Sequence, residues 1–124
     1  MANIMVVDDA KFSRKMLSDI LVEEGHEIIV EAENAGEAVE FYEKLNPDVV
    51  TMDIVMPEIG GVDSISALKA MVKADPKAKV VIVSGMGQQD VIEEFINAGA
   101  KDFIVKPFQP SNIADVVASV LENA

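Results

Sequence analysis

Five times along the chain a short unbroken apolar run is followed by a longer stretch whose apolar residues recur every three or four positions. A run of the first kind suits a strand covered on both faces, and a stretch of the second kind suits an amphipathic helix. Asn3 to Val7 is the first predicted strand, and Phe12, Met16, Leu17, Ile20 and Leu21 mark the apolar face of the helix behind it, which Gly25 closes. Glu27 to Ala32 is less apolar, as expected of an edge strand. Asn34 and Glu37 have capping-box spacing, so a helix starts there with Ala38, Val39, Tyr42 and Leu45 inward, and Asn46-Pro47 ends it. Asp48 to Met52 is the third strand. Pro57 and Gly60-Gly61 then turn the chain into a helix buried through Val62, Ile65, Leu68, Met71 and Val72, which Pro76 ends. Lys79 to Ser84 is the fourth strand, Gly85 and Gly87 loosen the loop behind it, and Val91, Ile92, Phe95 and Ile96 mark a helix stopped by Gly99. Asp102 to Val105 is the fifth strand, and Ile113, Val116, Val117, Val120 and Leu121 give the last helix its buried face.

Parallel strands joined by helices need right-handed crossovers, which place helices over both faces of the sheet. The fold class is therefore α/β, a doubly wound five-stranded parallel sheet with five helices. No linker, low-complexity segment or charge block interrupts the alternation, so residues 1–124 are expected to form one domain with no output domain.

In such sheets ligands sit outside the carboxyl ends of the strands. That edge is predicted to collect Asp8 and Asp9 after the first strand, Asp53 after the third, Ser84 at the end of the fourth and Lys106 after the fifth. Asp53 stands out because it interrupts the apolar run from Val49 to Pro57, where an ionisable group is costly without a charged partner or a metal. Three carboxylates held close repel one another, so either one stays protonated or a cation joins them. Magnesium is the expected ion, since it prefers oxygen ligands and commonly uses one or two carboxylates with waters and phosphate oxygens. No His or Cys lies at these strand ends to suit zinc. A carboxylate in that setting can attack a phosphoryl group: Asp53 would be the nucleophile, Lys106 would pair with phosphoryl oxygens, and the Ser84 hydroxyl would donate to another. Each residue also has a plainer reading, with Asp8-Asp9 as a helix cap, Lys106 as a solvated charge, Ser84 as turn chemistry and Phe103 as a core aromatic. Their joint occurrence at matching strand ends favours a site. His26 is expected in a surface turn, the seven Met residues as core filler apart from Met86 in an exposed loop, and Glu23-Glu24 and Glu93-Glu94 as solvated helix faces.

Composition narrows the partners. A length of 124 residues, half of them hydrophobic, leaves room for one core. The formal net charge of -12 argues against binding a phosphate backbone, so no nucleic-acid partner is expected. With no Cys there is no disulfide, thiol nucleophile or cysteine metal site. Asp8 and Asp9 interrupt the first apolar run, so no signal peptide is expected, and no stretch approaches the length of a membrane span. A soluble cytoplasmic protein without a membrane partner is the expectation.

Val6-Val7-Asp8-Asp9, Asp53 with Met56-Pro57, Ser84, and Lys106-Pro107 resemble the receiver domain of two-component response regulators over essentially the whole chain. More narrowly, Ser84 to Gln89 and Ala98 to Gln109 resemble CheY-type chemotaxis regulators of Gram-positive, thermophilic and archaeal type. The resemblance implies the strand order 2-1-3-4-5 and phosphorylation of Asp53. It implies magnesium held by Asp9, Asp53 and the Val55 backbone carbonyl, with Asp8 acting largely through water, and Lys106 pairing with the phosphoryl group. It also implies a cis Lys106-Pro107 bond and a coupled switch in which the Ser84 hydroxyl moves to the phosphoryl group and the Phe103 ring fills the space it leaves. The implied partners are a chemotaxis histidine kinase, an aspartyl-phosphate phosphatase, and a flagellar switch protein or archaeal motor adaptor. A monomer would meet the motility target through Gln88, Gln89, Lys101, Phe103 and Gln109. Three departures stand out: Phe103 replaces the Tyr of enteric relatives, Ser84 stands where many have Thr, and Val55 and Met86 are apolar where enteric relatives place polar groups.

The leading expectation is a stand-alone phosphorylation switch, a phosphoacceptor that assists its own phosphorylation and dephosphorylation rather than an enzyme. The alternative is a single-domain phosphorelay intermediate that hands its phosphoryl group to a histidine phosphotransfer protein. A magnesium-dependent phosphatase would need a second acid placed to protonate the leaving group. A flavin module would need a Ser/Thr-rich phosphate loop, whereas the loop after the first strand is acidic.

Overall fold

The computed structural model describes residues 2–85 and 88–122. Strands and helices alternate as β1 (Asn3–Val7), α1 (Lys11–Glu23), β2 (Glu27–Ala32), α2 (Ala35–Leu45), β3 (Val49–Asp53), α3 (Ser64–Ala74), β4 (Val80–Ser84), α4 (Gln89–Asn97), β5 (Asp102–Val105) and α5 (Pro110–Glu122). Every strand pair is parallel and the order is β2-β1-β3-β4-β5. The fold is the doubly wound sheet expected, with the less apolar β2 at one edge.

Side chains alternate across a strand, and the alternation divides the core in two. Met5, Val7, Val50, Met52, Val80 and Ile82 pack with Ala38 and Tyr42 of α2, Leu68 and Met71 of α3 and Phe95 of α4. On the opposite face Ile4, Val6, Val49, Val81, Val83 and Ile104 pack with Leu17 and Leu21 of α1 and Ile113, Val117 and Val120 of α5. Covered on both faces, β3 and β4 are buried along their whole length, which is why they read as unbroken apolar runs.

Local chemistry sets the helix ends. The Asn34 side chain accepts from the Glu37 amide at 2.8 Å, as the capping-box spacing predicts, but the Glu37 carboxylate reaches one residue further back, to the Glu33 amide at 2.8 Å. Asp63 caps α3 by accepting from the Ser66 amide at 2.9 Å, a cap that the sequence reading did not assign. Gly99 stops α4 at a φ of 120°, and a Cβ there would sit 2.9 Å from Val72 Cγ2, so both backbone and neighbour require glycine. His26 lies half-buried in its turn, its Nδ1 accepting from the Ala2 amide at 3.2 Å. Met86 lies outside the described residues.

Helix α1 departs from the expected phase. Phe12 is 76% exposed and Met16 is also exposed, because the buried stripe runs through Arg14, Leu17, Ser18 and Leu21. Two of those four positions are polar, so a count of apolar residues selects the wrong face. Burying Arg14 is tolerable because its guanidinium meets Glu31 at 3.1 Å, Glu33 at 3.5 Å and the Asp8 carbonyl at 2.8 Å. Leu45, expected inward, is exposed at the end of α2, where burial stops at Tyr42.

Tyr42 is the chain's single tyrosine. Its O–H donates to Asp75 Oδ2 at 3.2 Å. Burial, the Asp75 charge and that hydrogen bond push its pKa up to about 12. Folding therefore favours the protonated phenol. This contribution to stability is present below the unfolded value of about 10 and is lost as pH rises through about 12. Tyrosinate absorbance should titrate near 12 in the folded protein and near ~10 after denaturation, and Tyr42→Phe should lower stability at neutral pH by about 1 kcal/mol. A folded-state midpoint equal to the denatured one would contradict the buried Tyr42–Asp75 pair.

Candidate functional site

Strand register decides what meets at the carboxyl edge of the sheet. Val7 pairs with Met52, which brings Asp8 level with Asp53. Asp53 pairs with Val83 and Ser84 with Val105, so Lys106 arrives at the same edge. Asp8, Asp9 and Asp53 each offer a carboxylate oxygen, all within 4.8 Å of one another. The Lys106 ammonium lies 2.7 Å from Asp53 Oδ2 and 3.4 Å from Asp8 Oδ2. Asp8 and Asp53 are buried, whereas Asp9 is exposed.

Local hydrogen bonds aim these groups. Asp8 Oδ1 accepts from the Ala10 amide at 2.8 Å, closing a turn ahead of α1. The helix itself begins on Ala10 with no side-chain cap, so the reading of Asp8-Asp9 as a helix cap fails. Asp53 Oδ1 accepts from the Val55 amide at 2.9 Å, and Ser64 Oγ donates to the Asp53 carbonyl at 3.3 Å. The acid is thus oriented by its own loop and by the start of α3. The Lys106-Pro107 bond is cis, and the Lys106 amide donates to the Ser84 carbonyl at 2.7 Å, tying the ends of β4 and β5 together.

The charges are strongly coupled. Burial raises the Asp8 pKa; the Ala10 hydrogen bond opposes it, the Asp53 charge adds to it, Lys106 opposes it, and the net direction is up. For Lys106, burial alone would lower the pKa, but the hydrogen bonds to Asp53 and Asp8 and their charges outweigh it and raise the value. The ammonium therefore stays charged, with the Phe108 ring centroid 5.9 Å from Nζ. Three carboxylates against one ammonium form an all-oxygen, net negative donor set, which suits a hard divalent cation and could hold a metal ion.

Ser84 is fully buried, and its Oγ has no hydrogen-bond partner among the described residues. Phe103 is 40% exposed, which overturns its reading as a core aromatic. It lines a groove with Gly85, Gln88, Ile92 and Val105. Ile82 pairs with Phe103 and Ser84 with Val105, and Ile104 packs on the α1/α5 side, so Ser84 and Phe103 are diagonal neighbours on the α4 side of the sheet. The Gly85 amide donates to Gln88 Oε1 at 2.6 Å, bracing the loop after Ser84.

All of the strand-end residues singled out in the sequence thus converge on one edge. Sequence reasoning missed Arg14, Ser64 and Phe108, which touch the site residues without falling in their motifs. A signal for Arg14 was available: a cation in the first turn of α1, one helical turn beyond the Asp-Asp pair. Among the described residues no helix is long and apolar enough to cross a membrane.

Known proteins resemble the chain at the level of both sequence and fold. The response regulator receiver domain family matches residues 4–118. Identity to the chemotaxis protein CheY of Thermotoga maritima is 53% over 117 residues, 94% of this chain and 95% of that protein. Identity to the chemotaxis protein CheY of Bacillus subtilis is 49% over 118 residues, 95% of this chain and 96% of that protein. Among solved structures, a chain of the CheX-CheY-BeF3-Mg+2 complex from Borrelia burgdorferi superposes with a TM-score of 0.87 at 37% identity, covering 95% of this chain and 87% of that chain. The chain therefore belongs to the response regulator receiver domain family of two-component signalling, as a CheY-like member.

Proposed function

We propose that this chain is a stand-alone, phosphorylation-activated response regulator of chemotaxis, cytoplasmic and monomeric, with Asp53 as its phosphoacceptor. The observation that carries the reading is the Lys106 ammonium 2.7 Å from Asp53, at an edge where three carboxylates converge. In the reaction an Asp53 carboxylate oxygen bonds to the phosphorus of a kinase phosphohistidine. The phosphorus–nitrogen bond breaks and its electron pair returns to the imidazole. Asp8, Asp9, Asp53 and the Val55 backbone carbonyl would hold magnesium, whose chemistry when bound is to neutralise charge on phosphoryl oxygens.

Lys106 exchanges its Asp53 oxygen for a phosphoryl oxygen, and the unpartnered Ser84 hydroxyl donates to another. The energy is of the needed size. Moving a two-state equilibrium from mostly off to mostly on takes about 5 kcal/mol, and each hydrogen bond to a charged group contributes about 1.5–3 kcal/mol. When Ser84 turns toward the phosphoryl group it vacates space on the face of the sheet that Phe103 shares, and the ring moves in. The surface of α4, β5 and α5 changes shape, and Gln88, Gln89, Lys101 and Gln109 then meet a flagellar switch protein or archaeal motor adaptor. Because Phe103 has no hydroxyl, that partner reads shape and apolar contact at this position. An aspartyl-phosphate phosphatase resets the switch. Similarity to a CheY solved with CheX, BeF3 and Mg+2 supports both the ion and a second protein partner.

Incubation with a small-molecule phosphodonor and magnesium should add one phosphoryl group by intact mass, with none added when magnesium is withheld or in Asp53→Asn. An undiminished adduct in Asp53→Asn would contradict the assignment. For the switch, titration with beryllofluoride and magnesium should move the Phe103 ring resonances in the native protein. Ser84→Ala should weaken that coupled change by about tenfold or more, the effect of one lost charge-assisted hydrogen bond. Phe103 resonances that stay in place in the native protein would sink the switch.

A further inference from the structure

We infer that Arg14 is a positioning residue that fixes the Asp8-Asp9 peptide for divalent-cation binding, an inference that rests on the reading of the acidic edge proposed above. Asp9 is exposed, and its carboxylate has no hydrogen-bond or ion-pair partner among the described residues. Its place at the edge is therefore set by the backbone that carries it. That backbone belongs to a helix start with no side-chain cap. Three contacts grip it instead: the Asp8 amide donates to the Ala32 carbonyl at 3.0 Å, the Asp8 carbonyl accepts from Arg14 Nη1 at 2.8 Å, and the Ala10 amide donates to Asp8 Oδ1 at 2.8 Å. The second contact holds the plane of the peptide between the two acids.

The guanidinium is itself held in orientation. Its Nε donates to Glu31 Oε1 at 3.1 Å and its Nη2 lies 3.5 Å from Glu33 Oε1, so the end of β2 aims the fork and the fork aims the acidic turn. The Arg14 side chain is only 9% exposed. A guanidinium presents its donors in a rigid planar fork, whereas a lysine ammonium is a compact charge on a flexible stem and an apolar side chain has no donor. Stability alone gives a weak reason for this arrangement, since Glu31 and Glu33 are themselves exposed and ion pairs to exposed carboxylates contribute little.

The sign of one measurement separates the possible roles. By charge alone, removing a cation beside three carboxylates tightens the binding of another cation. By positioning, its removal weakens that binding. The experiment is magnesium affinity by calorimetry, with the Asp9 and Ala10 amide resonances followed alongside, on the native chain, Arg14→Met and Arg14→Lys, at a temperature well below unfolding of each. Arg14→Met is expected to lose magnesium affinity by about tenfold, the usual effect of removing a partner that orients metal ligands. Arg14→Lys, which keeps the charge and loses the fork, is expected to lose affinity in the same direction and decides the question if the Met variant does not fold. Unchanged or tighter magnesium binding in the folded variants would overturn the positioning role, and native-like affinity in Arg14→Lys alone would show that the planar fork is not what fixes the peptide and overturn it equally. A native chain that binds no magnesium would instead overturn the reading of the acidic edge on which the inference rests.

Discussion

The ammonium of Lys106 lies 2.7 Å from the Asp53 carboxylate and 3.4 Å from that of Asp8, and the carboxyl edge of the sheet depends on that contact. Two buried acids facing each other in a partly dry environment would otherwise repel, and one would take up a proton. Lys106 supplies one positive charge where Asp8, Asp9 and Asp53 converge. The remaining negative charge suits a second cation. Bonds from Val55 and Ser64 hold Asp53, and the turn through Ala10 holds Asp8, so that neither acid has to reorganise.

The sheet converts this edge into a device with two ends. Parallel pairing places Ser84 at the last position of β4, fully buried with a hydroxyl that has no partner among the described residues, while Phe103 stands two rungs back on β5 with its ring in an open groove against α4. An unpartnered buried hydroxyl is costly. In the proposed switch, one rearrangement would give the hydroxyl a partner and bury the ring. Strand register thus joins the acidic edge to the α4–β5 surface, the route by which the proposed phosphorylation of Asp53 would reach it.

Much of this was legible in the residues. The alternation of apolar runs with three-to-four periodicity led to the right number, kind and sequence of elements, because a sheet covered on both faces keeps strands such as β4 apolar from Val80 to Val83, with Ser84 only at the end. The strand ends then located Asp8, Asp53, Ser84 and Lys106. Strand order was a different matter, since periodicity says nothing about which strands are neighbours and the order 2-1-3-4-5 followed only from the family resemblance. The phase of α1 was misread because Arg14 and Ser18 occupy inward positions that apolar counting skips. Phe103 was ambiguous because an aromatic in a short strand reads as core whether or not a helix covers it. The Asp8 carboxylate looked like a helix cap, but its bond goes to the Ala10 amide ahead of the helix.

The most direct test of the central claim locates the acyl phosphate chemically. After exposure to a phosphodonor and magnesium, reduction with borohydride converts an aspartyl phosphate to homoserine, and peptide mass spectrometry reads its position. Homoserine at residue 53 and nowhere else is the predicted result. Homoserine at residue 8 or 9, or none in a protein that has taken up phosphate, would contradict the account.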